Sequence, residues 1–176
     1  MCLRRSPLLA LAASLVTLAV ATPARSDQTL TFSGQVADGT PNHVTIEFAV
    51  EPTTQEIQVD HLTVDADDIL DWGLSSPSGF RGWGGGNTEP AIVNGQSASR
   101  SYLAGPIEQG TWRVDIGKAK ITGGSARYQI TVTLRDTPTL AAQPERSAYV
   151  AAAPLEQASR WYAGDFHVHS EESGDA

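Results

Sequence analysis

The chain is almost without sulfur: its one cysteine and one methionine are Cys2 and Met1, so everything from Leu3 onward lacks a thiol. Disulfides, thiolate metal sites and cysteine nucleophiles are thereby excluded downstream. Basic residues are also scarce, 12 Lys and Arg against 20 Asp and Glu. With no basic stripe, the chain offers nothing for a phosphate backbone or an anionic membrane to grip, so neither nucleic acid nor membrane is an expected partner. Long apolar runs are missing apart from Leu8 to Ala21, which falls short of the ~20 residues that span a bilayer. Arg4 and Arg5 precede that run, and small residues at Ala19-Val20-Ala21 or Thr22-Pro23-Ala24 follow it. Residues 1–26 therefore read as a secretory signal peptide, and a periplasmic or secreted protein is expected. Cys2 lies in the basic start and not at the cleavage site, which rules it out for lipid attachment. Without Arg4, Arg5 and Arg25, 9 basic residues face 20 acidic ones, a net of −11.

No stretch shows a capped apolar period of 3.6. What is present is period two. Leu30, Phe32, Gly34 and Val36 alternate with polar neighbours, as do Val44, Ile46, Phe48 and Val50. Leu70, Trp72 and Leu74 repeat the pattern, followed by Trp112, Val114 and Ile116, then Tyr128, Ile130, Val132 and Leu134. Ile57 and Val59 share one parity while Leu62 and Val64 take the other, which predicts a bulge or bend near His61. Turn-rich connections fall at Ser75 to Gly79, Asn94 to Gly95 and Gly123 to Ser125. Half-buried strands at this density imply an all-β domain over 27–136, an antiparallel two-sheet β-sandwich of jelly-roll type. Trp72, Trp112, Phe32, Phe48 and Tyr128 are its expected large core groups. Residues 137–160 are rich in Pro and Ala and read as a linker, with a short helix conceivable from Glu145 to Ala153, ended by Pro154. Trp161 opens a new element.

The strongest chemical signal is His167 and His169. On an extended segment His-x-His turns both imidazoles to one side, so the two can converge on one metal or a close pair. Asp165, Glu171, Glu172 and Asp175 add oxygen donors nearby, a mixture suited to Zn, Mn or Fe. A hydrolytic site needs further ligands and a walled cavity, and seven residues after His169 cannot supply them.

Other candidates are weaker. Arg81-Gly82-Trp83-Gly84-Gly85-Gly86 has no βαβ context for a phosphate loop and reads as a tight surface loop, with Arg81 over Trp83 or reaching an acid. Asp65-Ala66-Asp67-Asp68 lacks the Gly and Glu of an EF-hand and reads as a solvated acidic turn. Gly123-Gly124-Ser125 lacks the closing glycine of a nucleophile elbow. His43 and His61 carry no assigned role.

Gly164-Asp165-Phe166-His167-Val168-His169-Ser170, followed by Ser173-Gly174-Asp175, resembles the opening strand of PHP metal-dependent hydrolases. The upstream sequence is similar to the secreted, carbaryl-hydrolase-like (CehA/McbA-type) branch, in which a β-sandwich precedes the PHP domain. The stretches that carry the resemblance are Asp71-Trp72-Gly73-Leu74, Gly79-Phe80-Arg81-Gly82-Trp83-Gly84-Gly85, Tyr102-Leu103-Ala104-Gly105-Pro106 and Gly110-Thr111-Trp112-Arg113-Val114. They run in that order into Trp161-Tyr162-Ala163-Gly164-Asp165. The resemblance implies a hydrolase of phosphoesters, or of carbamate and carboxylic esters, using a divalent metal (Zn, Mn or Fe) on small ester substrates. It matches His167 and His169 to the first two metal ligands and, more weakly, Asp175 to an acidic one. The later Glu, His and Asp ligands of the barrel have no counterpart. The expectation is therefore a truncated PHP domain over 161–176, inactive by itself, whose partner is the missing catalytic barrel or another subunit. The alternative is a stand-alone secreted binding or accessory module with no catalysis.

Overall fold

The computed structural model describes residues 27–142 and Trp161. Eight strands follow one another: β1 Gln28–Ala37, β2 His43–Val50, β3 Glu56–Thr63, β4 Ile69–Ser76, β5 Gly79–Gly85, β6 Ala91–Asn94, β7 Gly110–Lys120 and β8 Ser125–Arg135. They form two four-stranded sheets, ordered β1-β8-β3-β6 and β2-β7-β4-β5. Every pairing between neighbouring strands is antiparallel. The partners 1 with 8, 2 with 7, 3 with 6 and 4 with 5 are those of one long ribbon folded at β4–β5. Rolling that ribbon brings β8 beside β3 and β7 beside β4. This is the jelly roll, an antiparallel β-sandwich, and no helix occurs among the described residues.

The alternating residues close the core as their parity requires. Leu70, Trp72 and Leu74 of β4 are buried against Trp112, Val114 and Ile116 of β7, and Ile130, Val132 and Leu134 of β8 join from the facing sheet. Phe48 is buried, while Phe32 and Tyr128 pack against the core from its margin. Tyr102, which belongs to no periodic run, is fully buried.

Two expectations give way. The segment 81–86 is no surface loop, because most of it lies in β5, which makes a hairpin with β4 through Pro77 and Ser78. There is also no bulge at His61: β3 pairs with β8 in unbroken register from Glu56 opposite Arg135 to Thr63 opposite Tyr128. The parity of Ile57 and Val59 simply continues to His61, whose ring stacks on Trp72 with centroids 4.7 Å apart. Leu62 is then an outward, exposed leucine, which surfaces tolerate. The register shifts lie in β4 instead, at Ile69/Leu70, Trp72/Gly73 and Leu74/Ser75.

Burial holds the His61 pKa below its ordinary 6.5, partly offset by a backbone hydrogen bond at Glu89 and the Asp60 charge. Its Nε2 is buried with no hydrogen-bond partner among the described residues. A folded pKa below the unfolded one means that the unfolded chain takes up the proton first. Stability is therefore expected to fall as pH drops below about 6.5. Urea midpoints at pH 7.5 and 5.5 check this (about neutral against mildly acid); His61→Phe should flatten the difference, and an unchanged difference in that variant would assign it elsewhere.

Candidate functional site

His167, His169 and Asp175 lie outside the described residues, as do the signal peptide and most of the expected linker. Among the described residues no group of three or more His, Asp or Glu side chains is placed to hold a metal ion. The acidic turn confirms why. Asp65 receives a bidentate pair from Arg127 together with the Arg127 backbone N–H, and Asp68 accepts from the Thr122 N–H at 2.7 Å and its hydroxyl at 2.8 Å. Both Asp65 oxygens and Asp68 Oδ1 are thus engaged by protein donors.

The four motif stretches, scattered from Asp71 to Val114, meet in one place. Arg81 is 9% exposed and works as a clamp on the 103–106 segment. Its Nε and Nη2 donate to the Leu103 carbonyl at 3.1 and 2.9 Å, Nη2 also to Gly105 O at 3.1 Å, and Nη1 to Pro106 O at 3.1 Å. The guanidinium lies 5.2 Å from the centroid of the Trp112 ring, a cation–π contact. Trp112 in turn donates Nε1–H to Glu108 O at 2.8 Å. Tyr102 donates its hydroxyl to Trp72 O, and burial pushes its pKa up to about 12, so it stays a donor. Gly82 sits at φ 143° where a Cβ would collide with Ser101 O and Tyr102. Arg81 thus lies over Trp112, and the carbonyls of a loop take the place of the acid or of Trp83 as its partners.

Trp83 does something else. It points outward from β5, and its six-membered ring rests across Gly73 of β4 and Gly117 of β7, where any Cβ would strike it. Beside it opens a groove of about 530 Å³ on the outer face of the β2-β7-β4-β5 sheet, bordered by His43, Asp71, Phe80, Asp115 and Lys118. Outward parity places three of these groups: His43 and Asp71 share a register row with Gly117 across β2, β7 and β4, and Asp115 lies with Gly73 in the next row of that face. Asp115 accepts the Ser75 hydroxyl at 2.6 Å, and Lys118 Nζ donates to Gly39 O at 3.1 Å. Asp71 is half-buried and has no hydrogen-bond partner among the described residues; burial raises its pKa above 3.8. Sequence reasoning passed over this groove, although two glycines inside strand runs signal close approach of another group.

A second buried cluster fixes the other sheet. Glu56, fully buried, accepts from Asn94 Nδ2 at 3.0 Å, Arg135 Nη1 at 3.2 Å, the Thr139 hydroxyl at 2.7 Å and the N–H groups of Thr139 and Leu140. Burial alone would raise its pKa, yet the bonds from Asn94, Leu140 and Thr139 outweigh this and hold it below 4.5. Ser97 also donates to Ala141 O at 2.7 Å, so residues 139–141, at the start of the expected linker, are tied to the sandwich.

No protein-family model matches the chain, and no curated protein matches it. Solved structures similar to it include the Yersinia pseudotuberculosis-derived mitogen, at 15% identity and a TM-score of 0.39, covering 63% of this chain and 89% of that one. Another is Salmonella Typhimurium PliG, a periplasmic lysozyme inhibitor of g-type lysozyme, at 12% identity and a TM-score of 0.35, covering 61% and 91%. Likenesses this distant transfer neither protein's properties to this chain.

Proposed function

We propose that this chain is the exported N-terminal part of a PHP-type metal-dependent hydrolase of phosphoesters, or of carbamate and carboxylic esters, its β-sandwich leading into the first metal-binding motif. The observation that carries the reading is the ordered run of four motifs leading into Gly164 to Ser170. The contacts among those stretches support reading them as one unit: Arg81 binds Gly105 O and lies over Trp112, and Gly82 bridges to Tyr102. In this reading His167 and His169 are the first two ligands of a Zn, Mn or Fe ion, and Asp175 is a weaker third. Such an ion, when bound, supplies a Lewis acid and an activated water. The chain's own contribution is a sandwich to which residues 139–141 are tied by hydrogen bonds. Titration calorimetry of the full chain with Zn²⁺ and Mn²⁺ tests this. Saturable binding that disappears in the combined His167→Ala and His169→Ala variant is expected; binding that survives that variant would contradict the assignment.

A second reading is favoured by the groove at Trp83: a stand-alone exported binding module. Ligand binding there that is indifferent to His167 and His169 would support it.

A further inference from the structure

The sheet bearing Trp83 gives up two side chains to seat one indole. Gly73 and Gly117 occupy outward positions on neighbouring central strands, and Trp83 lies across both while remaining 38% exposed. An aromatic ring braced from below and open from outside carries a negative face that attracts polarised C–H groups. Around it stand both hydrogen-bond acceptors, Asp71 and Asp115, and a donor, Lys118, with His43 beside them. Asp71 is the informative member, because a half-buried carboxylate with no donor among the described residues has room for one from outside. The groove is shallow, lies on a sheet face, and at about 530 Å³ has the size of a small-ligand site.

One ligand chemistry meets all of these conditions: a ring with an apolar C–H face and a rim of hydroxyls that both donate and accept. An organic cation would suit Trp83 and the two acids, but Lys118 opposes it. An anionic ligand is opposed by Asp71, Asp115 and the acidic surface. We infer that the Trp83 groove binds a sugar ring of a neutral oligosaccharide, the ring stacked on Trp83 and its hydroxyls bonded to Asp71 and Asp115. The inference rests on the binding-module reading in one respect, that the groove is open in the full chain; it is independent of the metal ligands.

The test uses the full chain with cellotetraose, maltotetraose and chitotetraose as probes, followed by titration calorimetry and tryptophan fluorescence. At least one should bind saturably with Kd of about 1 mM or tighter. Trp83→Ala should weaken that binding by about tenfold or more. The near-isosteric Asp71→Asn, which leaves the platform intact, should weaken it several-fold with an unchanged melting temperature. Acrylamide quenching, compared between the chain and Trp83→Phe, reports whether the groove is open. An open Trp83 with no saccharide binding up to about 10 mM overturns the ligand class and leaves the binding-module reading standing. A shielded Trp83 overturns both. Saturation by tetramethylammonium in place of the saccharides overturns the inference in favour of a cation site.

Discussion

Replacing Arg81 with alanine is expected to lower stability by about 3–4 kcal/mol, a drop in melting temperature of roughly 10 °C or more. The guanidinium is buried and satisfies the carbonyls of Leu103, Gly105 and Pro106 while covering Trp112. Its removal strands three acceptors, opens space against the largest core side chain and frees the segment that carries Tyr102. Arg81→Lys should recover less than half of the loss, because a single ammonium cannot reproduce a planar fork that spans three carbonyls. Urea denaturation at pH 7 measures both variants. A cost below about 1 kcal/mol, the range of a surface pair, would show that the knot contributes little.

Replacing Glu56 with alanine should cost about 3 kcal/mol through a different route. The carboxylate gathers Asn94 of β6, Arg135 of β8 and the adjacent Thr139 and Leu140, so its loss leaves a nearly buried Arg135 facing a void and releases residues 139–141. Glu56→Gln separates charge from shape. The folded pKa of Glu56 is below the unfolded 4.5, so its charge stabilises the fold fully above about that pH. The contribution is lost as pH falls from there through the folded value. Wild type should therefore lose stability on acidification below about pH 4.5 more steeply than Glu56→Gln. Parallel acid titrations by circular dichroism decide this, and superimposable profiles would remove Glu56 from the account.

The sandwich was legible in the sequence where strands bury one face. β2, β7 and β8 alternate cleanly because each sets its apolar side chains on the core and its polar ones in water. β5 was not legible, since it reads Gly-Phe-Arg-Gly-Trp-Gly-Gly: its inward group is an arginine, its large aromatics face outward, and its remaining positions are glycines. β6, at four residues, is too short to show a period. Tyr102 lay between strands, where no pattern marks burial. Glu56 carries no mark of burial in the sequence, because the partner that holds it arrives 83 residues later in Thr139. The groove was hidden for a related reason. Gly73 and Gly117 come together only once β4 pairs with β7, and Trp83 covers them only once β5 is recognised as a strand. Arg81 invited a pairing with Trp83 from adjacency, and strict alternation would set positions 81 and 83 on one face. The register shift at Leu74/Ser75, opposite Gly82 and Phe80, breaks that alternation at Arg81 and leaves it buried while Trp83 faces outward.

The central claim separates the sandwich from a proposed metal-binding segment at His167 and His169, and equilibrium dialysis against Zn²⁺ of the full chain beside a 27–142 fragment tests it most directly. The fragment contains all eight strands and both buried clusters, so it should fold. The account predicts that the full chain retains zinc and the folded fragment retains none. Equal retention by the two would place the metal within the sandwich, and retention by neither would remove His167 and His169 from any metal-binding role in this chain.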